Sequence, residues 1–202
     1  MKRYIYLISP PKIRGIKFYK DLNNVLKTNR VKYFQLRLKK ISILNLLKIS
    51  KKVKKIVKKN KVKLIVNDNP IVAKMINADG CHIGQKDIDF ISCRKILGRN
   101  KIVGMTCHNS KQLALKAKKY GANYVAFGAF FKSSTKKTAF KANLEILRWA
   151  KKKINMPIVA IGGINSSNYN KILSNRADLI ACSSFVWNKK KLDPVSAIKK
   201  FK

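Results

Sequence analysis

The stretch Pro157-Ile158-Val159-Ala160-Ile161-Gly162-Gly163 is an apolar run of strand length that ends in two consecutive glycines. An apolar run without alternating polar residues is typical of a parallel strand that other elements cover on both faces. Tyr124–Phe127 has the same character, and the helical pattern of Asn143–Lys153 separates the two runs. The chain therefore contains a strand–helix–strand unit, which is the building block of a parallel sheet.

The same alternation continues in both directions from this unit to the ends of the chain. We predict eight strands, at Tyr4–Ile8, Tyr33–Leu38, Lys63–Val66, Gly80–Ile83, Ile102–Met105, Tyr124–Phe127, Pro157–Ile161 and Leu179–Cys182. We predict eight helices, at Phe18–Lys27, Ile43–Asn60, Pro70–Ile76, Phe90–Leu97, Ser110–Tyr120, Asn143–Lys153, Ser167–Leu173 and Pro194–Phe201. Strict alternation favours a parallel (β/α)8 TIM barrel with right-handed crossovers. The alternative is an open doubly wound sheet, but no Gly-x-Gly-x-x-Gly motif follows the first strand.

The composition supports a single domain over residues 1–202. A chain of 202 residues with 46% hydrophobic residues can bury a sizeable core, although it is short for such a barrel. No apolar run approaches the length of about 20 residues that spans a bilayer, and the N-terminal stretch reads as a strand rather than a signal peptide. The four cysteines show no metal-ligand spacing, which favours reduced thiols and a cytoplasmic location.

The charge balance is the most unusual feature of the composition. Lys and Arg number 47 against eight Asp and Glu, giving a net charge of +39. Such a balance is typical of proteins that bind nucleic acid or anionic membranes. The lysines, however, are spread along the whole chain and occupy the polar face of helices such as Ile43–Asn60. We therefore expect small phosphorylated substrates, no specific nucleic acid and no membrane, and we leave homo-oligomer formation open.

Polar side chains gather where the predicted strands end, and in a barrel these ends form the face that carries the chemistry. The second strand ends in Gln35-Leu36-Arg37-Leu38-Lys39. Alternation places Gln35, Arg37 and Lys39 on one face, which would point into the barrel. An amide and two cations there suit an anionic ligand, and the structural alternative is an Arg–carboxylate pair inside the barrel.

Two carboxylates follow neighbouring predicted strands. Asp68 follows the third strand in Asn67-Asp68-Asn69-Pro70, and Asp87 follows the fourth in His82-Ile83-Gly84-Gln85-Lys86-Asp87. In a chain with eight acidic residues, two carboxylates on adjacent strand ends predict an Mg2+ site that substrate phosphates complete. The alternative is that Asp68 or a neighbouring Asn caps the helix after the third strand, and that Asp87 caps the helix after the fourth.

The fifth and sixth strands are also followed by polar groups. Thr106 offers a hydroxyl to a phosphate, and His108 is either an acid/base or a cap of the next helix. The loop after the sixth strand collects hydroxyls and lysines in Lys132-Ser133-Ser134-Thr135-Lys136-Lys137. It is either a loop that folds over an anion or a solvated loop without a ligand.

The last two strands end in small residues. Gly162 and Gly163 follow the seventh strand, and Ser183 and Ser184 follow the eighth. Glycines and small polar residues at these two ends are typical of the barrel phosphate site, in which backbone N–H groups bind the phosphate oxygens. The pattern predicts a phosphorylated ligand without identifying it.

Taken together, these motifs resemble the ordered signatures of the thiamine phosphate synthase family, which is related to thiazole tautomerase. The matching segments are Gln35–Lys39, Asn67-Asp68, His82–Asp87, Ser133–Lys136, Gly162–Ile164 and Ser183-Ser184. Six motifs in the same order are far more specific than any one of them. The resemblance implies a barrel transferase that joins hydroxymethylpyrimidine diphosphate to hydroxyethylthiazole phosphate with the help of Mg2+.

The resemblance also implies a role for each matching residue. Asp68 and Asp87 would bind Mg2+. The pyrimidine diphosphate would be bound by Gln35, Arg37, Lys39, Asn67, Thr106 and Lys136. The thiazole phosphate would be bound by Ser133, Ser134, Thr135, Gly163, Ser183 and Ser184. The catalytic groups that stabilise the departing diphosphate would be Arg37, Lys39 and Lys136, after which the thiazole nitrogen attacks the resulting cation.

Two other functions compete with the synthase. A thiazole tautomerase shares the barrel and the phosphate pocket, but that branch usually lacks both aspartates, needs no Mg2+ and would use His108 as its acid/base. A nucleic-acid-binding protein on a barrel scaffold would give the six motifs no role. The presence of Asp68 and Asp87 therefore favours the synthase.

Overall fold

The computed structural model describes residues 4–132, 140–188 and 192–202. Within these ranges, eight strands form a closed barrel in the order β1 to β8. All neighbouring strands are parallel, and the barrel closes where Ile5 of the first strand pairs with Ile180 of the last. The predicted (β/α)8 barrel is confirmed.

The elements alternate along the chain as the sequence predicts. The strands are β1 (Ile5–Ile8), β2 (Val31–Leu36), β3 (Lys63–Asn67), β4 (Gly80–Ile83), β5 (Ile102–His108), β6 (Tyr124–Gly128), β7 (Ile158–Ile161) and β8 (Leu179–Cys182). The helices are α1 (Lys17–Lys27), α2 (Ile43–Lys59), α3 (Pro70–Met75), α4 (Phe90–Leu97), α5 (Lys111–Lys119), α6 (Glu145–Lys153), α7 (Tyr169–Ser174), α8 (Ser184–Trp187) and α9 (Pro194–Lys199). In the described part of the chain, no helix has both the length and the apolar character of a bilayer span.

Three boundaries differ from the prediction in ways that affect the site. β2 ends at Leu36, so Arg37 and Lys39 lie beyond the strand. β5 continues as far as His108, and the short helix α8 directly after β8 was not predicted. The early end of β2 coincides with a tertiary contact, because the Ser9 hydroxyl accepts from the Arg37 amide at 2.9 Å and donates to the Arg37 carbonyl at 3.2 Å.

Most helices begin at a side chain that accepts a hydrogen bond from the first turn. The residues with this role are Ser42 for α2, Asn69 for α3, Asp89 for α4, Ser110 for α5 and Asp193 for α9. Each such cap contributes about 1 kcal/mol to helix stability. The helices then bury one apolar side against the outside of the barrel, as Leu22, Val25 and Leu26 of α1 do.

Buried side chains fill the space inside the barrel as well as the layer between strands and helices. The inner cluster consists of Tyr6, Ile8, Tyr124, Ala126, Val159, Leu179 and Ala181. The rings of Tyr6 and Tyr124 pack edge to face at 5.6 Å between centroids. The interior is therefore a packed core with two buried hydroxyl groups rather than a channel.

Gly104 makes room for the Tyr124 ring inside the barrel. A Cβ at position 104 would lie 1.9 Å from Cζ of Tyr124. We expect Gly104→Ala to lower the free energy of unfolding by about 3 kcal/mol, measured by urea denaturation, because the packed core cannot accept the added methyl group. In a Tyr124→Ala background the same substitution should cost much less, since the obstructing ring is gone. Equal costs in both backgrounds would contradict this packing argument.

Candidate active site

The site lies at the carboxyl ends of the strands, where the ends of β1 and β2 hold its first residues. Gln35 is the only one of the three predicted β2 residues inside the strand, and its buried Nε2 donates to Tyr6 Oη at 3.1 Å. Arg37 and Lys39 follow the strand. The alternation of side chains along a strand, from which we placed both residues on one inward face, therefore does not apply to them. Ser9 instead fixes the backbone of Arg37 at the barrel mouth.

Asp68 forms an ion pair with Lys39 across the ends of β3 and β2. Lys39 Nζ lies 2.8 Å from Asp68 Oδ2. The backbone of Asp68 is in the left-handed region with φ of 60°, a conformation that Asp tolerates better than most residues. Its amide donates to the His82 carbonyl at 2.8 Å, which ties this turn to β4. The alternative of an Arg37–carboxylate pair inside the barrel is not seen among the described residues, whereas Lys39 forms this pair at the barrel mouth.

The carboxylates of Asp68 and Asp87 are close enough to share a hydrogen bond. Burial raises the pKa of Asp68, and the neighbouring Asp87 carboxylate raises it further. For Asp87, burial acts to raise the pKa, but the hydrogen bonds from Asp68 and from the Gly84 amide, at 2.8 Å, outweigh it and lower the pKa. Opposite pKa shifts in two adjacent carboxyl groups are typical of a pair that shares one proton.

Neither of these aspartates caps a helix. Asn69 accepts from the Val72 amide at the start of α3, and Asp89 accepts from the Ser92 amide at the start of α4. The capping alternative is therefore confirmed for an asparagine after β3 and wrong for Asp68 and Asp87. At the mouth of the barrel, Asp68 instead pairs with Lys39, and Asp87 accepts from the Gly84 amide.

A buried chain of hydrogen bonds crosses the barrel interior beneath these charges. From Gln35 it passes to Tyr6, whose Oη lies 2.7 Å from Tyr124 Oη. Tyr124 Oη lies 2.9 Å from His82 Nδ1, and His82 Nε2 lies 2.8 Å from Thr106 Oγ1. Burial lowers the pKa of His82 to about 4, so the imidazole is neutral at neutral pH. The chain thus connects two predicted substrate-binding residues, Gln35 and Thr106.

The glycines after β7 allow two backbone segments to approach closely. A Cβ on Gly162 would lie 2.3 Å from Ala129 Cβ, and one on Gly163 would lie 2.4 Å from the Lys132 carbonyl oxygen. Both glycines have positive φ, 105° and 63°. They therefore serve packing in addition to the phosphate binding predicted for Gly163. The predicted Ser133, Ser134, Thr135 and Lys136 lie outside the described residues.

The end of β8 is tied to the end of β1. The Ser183 hydroxyl donates to the Ser9 carbonyl at 3.0 Å, and the Trp187 indole donates to the Ile8 carbonyl at 2.7 Å. Ser184 begins α8 next to them. These bonds place the predicted phosphate-binding serines beside the strand end that also anchors Arg37.

Comparison with known proteins identifies the family to which this site belongs. The family model for thiamine monophosphate synthase matches residues 5–186. The chain belongs to the thiamine monophosphate synthase family. The thiamine-phosphate synthase of Pelagibacter ubique is 55% identical over 201 residues, covering 100% of this chain and 97% of that protein. The thiamine-phosphate synthase of Rhodospirillum centenum is 38% identical over 91% of this chain and 89% of its own length.

A solved structure agrees with this assignment. Thiamine phosphate pyrophosphorylase from Pyrococcus furiosus superposes with a TM-score of 0.86 at 26% identity, covering 98% of this chain and 93% of that one. The chain is therefore an enzyme of the thiamine monophosphate synthase family. The family resemblance that the six motifs predicted is confirmed.

The structure decides one of the two roles suggested for His108. It ends β5 with φ of 51°, and its ring stacks on Phe140 at 4.0 Å between centroids. The N-cap of α5 is Ser110, so the prediction that His108 caps this helix is wrong.

Sequence reasoning missed three residues of the site of this synthase family member. Tyr6, Tyr124 and His82 form the interior of the buried chain, and none of them was assigned a role. The available signal was two tyrosines in otherwise apolar strands and a histidine between Cys81 and Ile83. Polar side chains at such positions need buried partners.

Proposed function

We propose that this chain condenses hydroxymethylpyrimidine diphosphate with hydroxyethylthiazole phosphate, releasing diphosphate and giving thiamine phosphate, with Mg2+ held by Asp68 and Asp87. The observation that carries the proposal is the carboxylate pair beside Lys39 at the mouth of the barrel. The full-length similarity to thiamine-phosphate synthases supplies the substrate classes.

The donor set fits Mg2+ in this role. Among the described residues, no group of three or more His, Cys, Asp or Glu side chains could hold a metal ion. Mg2+ does not require such a group, because one or two carboxylates, waters and substrate phosphates usually complete its shell. Two neighbouring carboxylates that cap no helix suit this arrangement. When bound, Mg2+ supplies positive charge to the diphosphate oxygens as they leave.

The cations of the chain stabilise the same leaving group. Within residues 4–132, 140–188 and 192–202, the Arg37 guanidinium forms no hydrogen bond to another side chain or backbone group, so its donors are available to the diphosphate. Lys39, which is paired with Asp68 in the structure, would be able to contact the diphosphate if Asp68 held the metal ion. Lys136 is proposed as the third cation on the basis of the family motif.

The other proposed contacts divide between the two substrates. Gln35, Asn67 and Thr106 bind the pyrimidine diphosphate, and the first and last of these are already oriented by the buried chain. Gly163, Ser183 and Ser184 bind the thiazole phosphate at the ends of β7 and β8. The family motif adds Ser133, Ser134 and Thr135 to this second group.

The reaction requires charge stabilisation more than proton transfer. The bond between the pyrimidine methylene carbon and the diphosphate oxygen breaks, and its electron pair leaves with the diphosphate. The lone pair of the thiazole nitrogen then forms the new carbon–nitrogen bond, which yields the thiazolium product without removal of a proton. Arg37, Lys39 and Lys136 therefore act as electrostatic groups rather than as general bases.

The test is an assay of the purified protein with both substrates and Mg2+. We expect diphosphate and thiamine phosphate to form in equal amounts, and only when both substrates are present. Absence of both products would overturn the proposal. Isomerisation of a thiazole substrate without diphosphate release would support the tautomerase alternative instead.

The high positive charge predicts a salt dependence of this reaction. A net charge of +39 attracts anionic substrates, and added salt screens that attraction. We expect kcat/KM for the pyrimidine diphosphate to fall several-fold between low and physiological ionic strength, with a smaller change in kcat. The measurement is steady-state kinetics at constant free Mg2+. An unchanged kcat/KM would show that the net charge plays no part in substrate capture.

A further inference from the structure

We infer that His82 is a positioning residue that turns the Thr106 hydroxyl into a hydrogen-bond donor toward the pyrimidine substrate. The inference follows from the direction in which hydrogens are donated along the buried chain. That chain runs from Gln35 through Tyr6, Tyr124 and His82 to Thr106. The identity of the ligand rests on the proposed function, whereas the direction of the chain is a property of the protein alone.

The direction is set at the Gln35 end. The Gln35 amide donates to Tyr6 Oη, and each tyrosine has a single hydroxyl hydrogen. Among the described residues, Tyr6 Oη has only Gln35 and Tyr124 as partners. If Tyr6 did not donate to Tyr124, a fully buried hydroxyl hydrogen would stay unpaired, at a cost comparable to a lost hydrogen bond. Tyr6 therefore donates to Tyr124.

The direction of hydrogen donation at Tyr6 also determines which nitrogen of the His82 imidazole has the hydrogen. Because Tyr124 accepts from Tyr6, its own hydrogen goes to His82 Nδ1, which must be unprotonated. An imidazole nitrogen that accepts a hydrogen bond has no hydrogen of its own, so the ring hydrogen of His82 is on Nε2. That hydrogen is donated to Thr106 Oγ1 over 2.8 Å.

The hydrogen of Thr106 is consequently left for a ligand. Thr106 lies in the part of β5 near the barrel mouth, and its oxygen already accepts from His82. A hydroxyl in this state selects an acceptor such as an unprotonated pyrimidine ring nitrogen, and it discriminates against a ring position that has its own hydrogen. His82 thereby determines which edge of the pyrimidine fits the site.

Nitrogen NMR of the free protein tests the direction of the chain. The protein has two histidines, so a His108→Gln variant assigns the signals of His82. We expect Nε2 to be protonated and Nδ1 unprotonated around neutral pH. The opposite tautomer, or a rapid mixture of the two, would overturn the inference, because Thr106 would then donate to His82. This result does not depend on the reaction that the protein catalyses, so it can fail separately from the proposed function.

Kinetics test the consequence for the substrate. Loss of one neutral hydrogen bond corresponds to a rise of about tenfold in KM for the pyrimidine diphosphate. We expect this rise, with a smaller change in kcat, for Thr106→Val and for His82→Asn. His82→Gln should restore most of the affinity, because its amide N–H reaches nearer to the position of Nε2. Tyr124→Phe should mix the two tautomers and give an intermediate KM.

Circular dichroism of each variant separates these effects from misfolding. Wild-type KM values for both His82→Asn and Tyr124→Phe would overturn the positioning role even if the tautomer is as expected. Equal losses in His82→Gln and His82→Asn would also overturn it, since a structural role does not require a donor at that position. If His82→Asn does not fold, the comparison of Tyr124→Phe with Thr106→Val decides.

Discussion

Replacing Asp68 and Asp87 together by asparagine is expected to lower kcat/KM by about 1,000-fold, a loss comparable to that of a charge-stabilising group in an active site. The substitution keeps the shape of both side chains but removes the two negative charges that would hold Mg2+. The rate that remains should respond weakly to Mg2+ concentration. The measurement is diphosphate release as a function of free Mg2+ for the wild type and the variant.

The chain offers a matched control for this substitution. Asp89→Asn removes one negative charge only two positions from Asp87, and asparagine caps a helix as well as aspartate does. We expect this variant to retain wild-type activity and wild-type Mg2+ dependence. A double Asp68→Asn, Asp87→Asn variant that behaves like the control would remove the metal site from the proposal.

Replacing Arg37 by glutamine is expected to lower kcat by about 100-fold or more, because the guanidinium stabilises charge that develops only as the diphosphate leaves. The Ser9 hydroxyl bonds the backbone of Arg37 and not its side chain, so the local fold should persist. Arg37→Lys should lie between the wild type and the glutamine variant, since lysine keeps the charge without the planar set of donors. The measurement is kcat at saturating concentrations of both substrates.

Lys51→Gln is the control for the change in net charge. Lys51 is an exposed residue of α2 on the outside of the barrel, and its loss reduces the net charge by the same amount. We expect its kcat to equal that of the wild type. If Lys51→Gln and Arg37→Gln reduce kcat equally, the general field rather than Arg37 at the barrel mouth would account for the effect.

The architecture could be predicted from the sequence because each barrel strand has a recognisable local pattern of apolar residues. Runs such as Ile158–Ile161 are apolar throughout since helices cover one face and the inner core covers the other. The helical stripe of α2 and the cap at Ser42 are equally local signals. Strand boundaries were predicted less accurately where tertiary contacts decide them. At the end of β2, for example, Ser9 from the segment after β1 bonds the backbone groups of Arg37.

The strand ends also allowed most of the site to be predicted. Parallel strands of a barrel bring their carboxyl ends to one face, so polar residues at those ends must be neighbours whatever their separation in the chain. This rule placed Asp68 near Asp87 and Gln35 near the mouth. The position at a strand end did not distinguish a carboxylate that binds a ligand from one that caps a helix. Both roles require an acidic residue shortly after a strand.

By itself, then, the sequence determined the barrel, its order of elements and the ring of polar residues at the strand ends, since all three follow from periodicity and position along the chain. Only the tertiary structure decided which groups in that ring pair with each other. It assigned the caps to Asn69 and Asp89, and it joined Tyr6, Tyr124 and His82 into one chain of hydrogen bonds. Those bonds connect strands that are not neighbours in the barrel, so they exist only once the barrel has closed and its register has brought the buried polar groups within about 3 Å of each other.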